Sequence, residues 1–486
     1  MNNNKQLPRS TPEKQGMKSS AILDFIDELE KEKIELHGFM MLRHGSVVSE
    51  GWWSPYTSEL KHMLFSLSKS FTSTAVGLAV NEGLMSVEDK VIDYFPKDLP
   101  ENICKNLSAM KVKHLLSMST GHDVDTTEHV GSQSEGNWVK GFLELDVEHE
   151  PGTYFVYNTA ATYMLSAIVQ KVTGQTLLNY LEPRIFEPLG IEGATWETCP
   201  KGINTGGFGL SIKTEDIAKF GQLYLQKGMY NGKVLVPQEW IMEATTSHIS
   251  NGSSEEIDWQ QGYGYQFWRC RHNAYRGDGA FGQYCVVMPD QDAVIAINSG
   301  IDDMQSVLNL VWKHLLPAME REVLPDNELV YGELTKKLLN LKLPMSKGSE
   351  YGNTSDISTV ESKISGKCYN LIDNELGFVQ VSITFEASKY ELTIVKGDGE
   401  HKISGGIGKR IEDKTNLFGD ASATSSYGYW NHKNTFVMKL QLIETPFRYT
   451  LKLCFEGNKI EVMGEVNVAF GNKELPTLKG ELPLTK

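Results

Sequence analysis

FSLSKSFTSTAVGLAVNEG, residues 65–83, joins a polar tetrapeptide to a long run of small and apolar side chains. Such a run predicts a buried helix that stops at Gly83. Ser66 stands at its head, and Lys69, three residues on, falls on the same helical face. At a helix N-terminus the unpaired backbone N–H groups and the positive dipole end favour a developing alkoxide. Burial among Ala75, Val76 and Leu78 favours the neutral amine of Lys69, which can then accept the Ser66 proton. The spacing alone selects nothing. Ser58 to Lys61 and Ser108 to Lys111 repeat it, and a plain helix cap with a solvated lysine is the simplest reading of any one of the three. Only Ser66 is followed directly by a buried-helix pattern.

Outward from that helix the chain changes period several times. Ile22, Phe25, Ile26 and Leu29 mark an amphipathic helix, and GFMMLRHGSVVSEGWW (38–53) reads as two strands around a turn at Arg43-His44-Gly45-Ser46, with His44 exposed. Residues 90 to 200 are mainly helical in pattern, notably ATYMLSAIVQKVTG (161–174), and 215–227 is a further helix. Strands return in GYGYQFW (262–268) and in FGQYCVVMPDQDAVIAINSG (281–300), which turns at Pro289–Asp292; a helix follows over about 303–319. This order fits a mixed α/β domain, an antiparallel sheet interrupted by a helical insertion, over residues 1–325. A helix and polar linker take 326–365, the segment 345–366 being poor in core residues. From 366 to 486 almost everything alternates: Val379, Val381, Ile383 and Phe385, then Phe436, Met438, Leu440 and Leu442, then Tyr449, Leu451, Leu453 and Phe455. That density of period-two strands predicts an antiparallel β-barrel or sandwich.

Composition narrows the class of partner. The chain has 486 residues and a formal net charge of −15, from 47 Lys and Arg against 62 Asp and Glu. Such a surface repels nucleic acid and anionic lipid. The N-terminal MNNNKQLPRSTPEKQGMKSS holds no apolar signal core and no stretch approaches a membrane span, so the expected location is cytoplasmic. Six scattered cysteines without a Cys-x-x-Cys are expected to be reduced and mostly buried. Twelve scattered histidines give no metal-ligand spacing, and neither metal nor cofactor is expected.

Several landmarks, taken in order, set Ser66 apart. Phe65-Ser-Leu-Ser-Lys-Ser-Phe-Thr-Ser is followed by Asn81-Glu-Gly-Leu-Met-Ser-Val-Glu-Asp-Lys-Val, His114-Leu-Leu-Ser-Met-Ser-Thr-Gly and Pro151-Gly-Thr-Tyr-Phe-Val-Tyr-Asn-Thr. Ile185-Phe-Glu-Pro-Leu-Gly-Ile and Gly207-Phe-Gly-Leu-Ser come next. Over about residues 10–320 this succession resembles the serine β-lactamase and penicillin-binding-protein superfamily, most of all its class C-like esterases and amide hydrolases. The resemblance implies a Ser66 nucleophile with Lys69 and Tyr157 as proton shuttles and an oxyanion hole from the backbone N–H groups of Ser66 and Ala280. Thr159, Asp278 and Gly279 are the implied substrate contacts. Two positions depart from the pattern. Thr159 stands where Asn is common, with Asn158 one place early, and Gly277-Asp278-Gly279 lacks the basic residue that opens the family's third motif.

The missing cation weighs against penicillin-like carboxylates and for an uncharged ester, amide or short peptide. Asp278 offers a carboxylate for an amine-bearing substrate, or is simply part of a strand-end turn. A serine hydrolase of esters or amides is the leading expectation. An acylated sensor with little turnover and a D-amino-acid peptidase are the alternatives, as is a C-terminal domain that binds glycan or peptide. His122-Asp123 invites a Ser-His-Asp triad, but turn residues surround it. Trp52, Trp53 and Tyr56 suit a pocket wall or the core equally well.

Overall fold

The computed structural model describes residues 6–133, 135–346, 360–432 and 434–483. Backbone contacts divide the chain into two units: Met1–Trp53, Thr57–Ser299 and Asp303–Leu341 form the first, and Lys342–Lys486 with Ser54–Tyr56 and Gly300–Asp302 form the second. Of the polar segment expected as a linker, 347–359 lie outside the described residues.

In the first unit, helix α1 (Ser19–Lys31) leads into a hairpin of β1 (Leu36–Arg43) and β2 (Ser46–Trp52). Its turn residues His44 and Gly45 have φ of 47° and 73°, the left-handed backbone that lets a two-residue connection follow the twist of its strands. Helices α2 (Ser68–Asn81), α3 (Thr159–Thr173) and α4 (Thr214–Leu225) come next, and then β3 (Trp268–Arg269), β4 (Tyr275–Gly279), β5 (Gln283–Met288) and β6 (Ala293–Ser299). The sheet order is β2-β1-β6-β5-β4-β3, antiparallel throughout, with Phe39 of β1 opposite Ile297 of β6. Strands from the two ends of the unit thus pair, and the helical block is inserted between them, as the element order predicts.

Helix α2 is buried from Ser68 to Ala79. A helix with water on no side must find partners for its hydroxyls internally. Ser68 donates to the Phe65 carbonyl at 2.6 Å, Thr72 to the Gly206 carbonyl at 2.8 Å, and Thr74 meets the Tyr224 hydroxyl at 2.8 Å.

Of the strand expected at 262–268 only Trp268 joins a strand, the short β3; Tyr263 makes only isolated bridges to Ile249 and Trp268. Gln266 explains the difference. Its backbone is left-handed, its Nε2 donates to the Leu115 and Leu116 carbonyls, its Oε1 accepts from Thr162, and its own carbonyl accepts from Ser70. A buried residue with three such bonds from its side-chain amide and one at its backbone carbonyl holds the segment in a loop against the helices. The cysteines also depart from expectation: Cys199, Cys270 and Cys285 are buried, whereas Cys104 and Cys368 are exposed.

The second unit holds β7 (Cys368–Leu371), β8 (Phe378–Glu386), β9 (Lys389–Lys396), β10 (Gly399–Ile407) and β11 (Ile411–Thr415). It continues with β12 (Ser422–His432), β13 (Thr435–Leu442), β14 (Arg448–Glu456), β15 (Lys459–Val466) and β16 (Glu474–Glu481). The order is β10-β9-β8-β7-β16-β15-β14-β13-β12-β11, and β10 also pairs in parallel with β12, Gly406 opposite Tyr427. Nine strands therefore close into a barrel. Most of the alternation predicted from sequence faces its interior, with Val381, Ile383, Phe436, Met438, Leu440 and Leu453 buried. Val379 is the exception, 55% exposed. A register shift between Phe378 and Gln380 marks a β-bulge there, and one extra residue reverses which side chain points inward. Tyr56 belongs to this unit, its hydroxyl donating to the Thr445 carbonyl at 2.8 Å and accepting from Gln441 at 2.6 Å. Among the described residues no helix is long and apolar enough to cross a membrane.

Candidate active site

Ser66 lies in a one-turn 3-10 helix, Phe65–Leu67, that runs straight into α2. The side chain of Lys69, on the first turn of α2, is buried, and its Nζ has three neighbours: Ser66 Oγ at 3.0 Å, Thr159 Oγ1 at 3.1 Å and the Gly207 carbonyl at 2.8 Å. Loss of hydration pulls the Lys69 pKa down to about 7, against the opposing charges of Asp125 and Asp278. A neutral amine has two N–H bonds and one lone pair. Thr159 and Gly207 can take the two N–H bonds, which leaves the lone pair facing the Ser66 hydroxyl. Position 207 must be glycine for this approach, since a Cβ there would sit 2.7 Å from Thr159 Cγ2 and 3.4 Å from Lys69 Nζ.

Asn158 caps α3, its Oδ1 accepting from the Ala160 N–H at 3.1 Å and from the Thr126 hydroxyl at 3.0 Å. The cap makes Thr159 the first residue of the helix and its hydroxyl a partner of Lys69. Here lies the sense of the one-place shift noticed in the sequence: Asn158 holds the helix start, and Thr159 holds the lysine. Tyr157, just before the cap, faces Ser66 closely enough for the serine hydroxyl to act on its phenol. Burial, with the nearby Asp278 carboxylate, raises its phenol above the ordinary range, so it stands as a neutral O–H. Its ring stacks on Trp268 at 5.1 Å, and Lys69 Nζ lies 4.9 Å from its centroid.

Strand β4 closes the other side. A Cβ at Gly279 would fall 1.9 Å from the Leu64 carbonyl oxygen, so the strand end runs directly against the turn that carries Ser66. At Gly277 a Cβ would meet Ser70 Oγ and Leu67 Cδ1 at 2.5 Å each. No basic side chain can start there, which accounts for the missing cation. One residue earlier stands a cation that the motif comparison passed over: Arg276 is fully buried, its Nε donates to Asp278 Oδ2 at 2.8 Å, and its guanidinium lies 4.2 Å over the Trp259 ring. Both residues share a strand face by alternation. Asp278, 6% exposed, is thereby occupied by an internal partner.

The backbone at the two implied oxyanion donors is unusual. Phe65, before Ser66, has φ of 48°, and Phe281, after Ala280, has φ of 64°; their rings meet edge to face at 5.2 Å. Left-handed aromatic residues cost on the order of 1–3 kcal/mol and persist where surrounding packing fixes them. Asp125 is the further site residue that no motif flagged. Its Oδ1 accepts from the Thr159 N–H at 3.1 Å, and its charge acts on both Lys69 and Tyr157. His122 and Asp123 do not pair: His122 Nδ1 meets Thr120 Oγ1 at 2.9 Å, while Asp123 contacts His149.

The sequence profile of the beta-lactamase family matches residues 26–307. The chain is similar to 6-aminohexanoate-dimer hydrolase of Paenarthrobacter ureafaciens, 25% identical over 313 residues, 59% of this chain and 78% of that protein. Among solved structures it resembles EstCE1, a hydrolase with promiscuous acyltransferase activity, at a TM-score of 0.51 and 15% identity, over 60% of this chain and 99% of that one. It also resembles SurE with D-Leu, at 0.50 and 16% identity, over 87% of this chain and 97% of that one. At these identities the structural likenesses speak for the fold.

Proposed function

We propose that this chain, which belongs to the beta-lactamase family, is a serine hydrolase that opens small ester or amide bonds through an acyl-enzyme on Ser66. The observation that carries the reading is the buried Lys69 amine, 3.0 Å from Ser66 Oγ and anchored by Gly207 and Thr159. As Ser66 attacks the substrate carbonyl, its proton passes to the Lys69 lone pair. The Ser66 and Ala280 N–H groups take the oxyanion, and the neutral Tyr157 O–H protonates the leaving group. Water then releases the acyl group by the reverse proton path.

The closed position at Gly277 and the occupied Asp278 favour substrates that need no fixed charge at β4. Linear esters and amides are therefore preferred over β-lactams, and a hydrolase relative named for 6-aminohexanoate dimer supports the same direction. The test is labelling with a fluorophosphonate probe, followed by turnover of p-nitrophenyl esters, D-amino-acid anilides and a chromogenic cephalosporin. Labelling at Ser66 with ester or anilide turnover is expected. An unlabelled Ser66 overturns the reading, and labelling without any turnover replaces it with an acyl-binding sensor.

A further inference from the structure

The barrel interior is filled unevenly. Towards one end it is packed with rings, Tyr369, Tyr390, Trp430, Phe436 and Phe455, whose neighbouring centroids lie 5.1–6.3 Å apart. Towards the other end the same alternation presents branched aliphatic side chains, and these enclose a cavity of about 290 Å³. Val381, Leu392, Ile394, Ile403, Leu440 and Leu478 line it, all buried. They come from β8, β9, β10, β13 and β16, strands spread around the ring, so the cavity is the lumen itself. The β-bulge at Val379 contributes by turning Phe378 into the lining.

Among the described residues of this lining the Tyr449 hydroxyl is the one polar side-chain group. An ordered water needs two to four polar partners, so such a space stays dry. Left empty, its walls forfeit dispersion contacts that an apolar occupant restores. Access exists as well: Leu376 and Phe418 line the same cavity yet are 38% and 41% exposed, and Phe418 stacks on Tyr449 at 5.0 Å. Large apolar side chains exposed at the rim of an apolar cavity mark an entrance. Barrels of this size are wide enough to enclose one small ligand.

We infer that the barrel lumen is a binding site for a small uncharged apolar molecule that enters past Leu376 and Phe418. An apolar cavity of about 150 Å³ takes up benzene, so by scaling this one suits a molecule of roughly a dozen carbon atoms. The site is separate from Ser66 and does not depend on the hydrolase reading. Calorimetric titration of the full chain with 1-decanol tests it. Binding with a negative heat-capacity change, and a rise in Tm with ligand, are expected. Val462→Phe, which fills the lumen, and Phe418→Asp, which charges the exposed lip and spares the core, each weaken decanol binding by about tenfold or more. Neither heat nor a Tm shift with the wild-type chain overturns the inference. Unchanged affinity in both variants overturns it too, as does loss of decanol binding once Ser66 has reacted with a fluorophosphonate, which places the alcohol at the serine instead.

Discussion

Ser66 and Lys69 head a helix buried from Ser68 to Ala79, whereas Ser108, at the same spacing from Lys111, lies inside the five-residue helix Lys105–Ala109 and Lys111 is the extended residue just before another, Val112–Leu116. The surroundings differ as much as the backbone. Lys69 is 1% exposed and its amine faces two hydroxyls and a carbonyl, while the Lys111 side chain is 36% exposed with its Nζ 2.7 Å from Glu88. Removing water penalises the ammonium of Lys69, and among the described residues no carboxylate hydrogen-bonds to it in compensation. The tetrapeptide spacing brings a hydroxyl and an amine together; burial is what makes the amine a base.

The comparison can be broken in order of effect. Ser66→Ala should lower ester turnover by about 10⁴-fold or more, with Ser108→Ala retaining full activity; steady-state assays of the two variants decide it, and a large loss in the second would erase the distinction. Lys69→Met should cost about 10²–10⁴-fold in kcat/KM. Lys69→Arg should be no better, because a guanidinium does not give up its proton.

A pH profile sharpens the same point. With a folded pKa of about 7, Lys69 should make kcat/KM rise with pH through a midpoint near 7, and Thr159→Val should move that midpoint if the hydroxyl orients the amine. The sign for stability follows from the same shift. Against an ordinary lysine value of 10.5, the unfolded chain binds the extra proton between about pH 7 and 10.5, so stability rises with pH across that window. Urea melts of Lys69→Met should lose that rise. The smallest effect belongs to the decoy: Lys111→Met removes an exposed pair with Glu88, worth about 0–1 kcal/mol, and should leave turnover untouched.

Much of the fold was legible because it rests on short-range pattern. The hairpin around His44, the turn at Pro289–Gln291, helices α2 and α3 and the strands of the barrel all follow from periodicity and turn chemistry. Where the pattern failed, a particular residue overrode it. Gln266 gives its hydrogen bonds to helices more than a hundred positions away in place of a strand ladder. At Val379 a single bulged residue reversed the expected face. In the candidate site, Ser66, Lys69 and Tyr157 were visible as ordered landmarks. Arg276 was hidden by standing one place before the motif, and Asp125 by lying in a loop with no pattern of its own.

By itself the sequence determined the mixed α/β domain, the all-β domain after it, and a serine and lysine placed on one helical face, since each depends on neighbours within a few positions. Only the tertiary structure decided what surrounds the lysine of that pair. The partners that strip water from Lys69 and aim its lone pair are Thr159 and Gly207, 90 and 138 positions away. Burial depends on everything that packs around a side chain, so the proton affinity of that amine, like the empty space inside the barrel, exists only once the chain has closed around it.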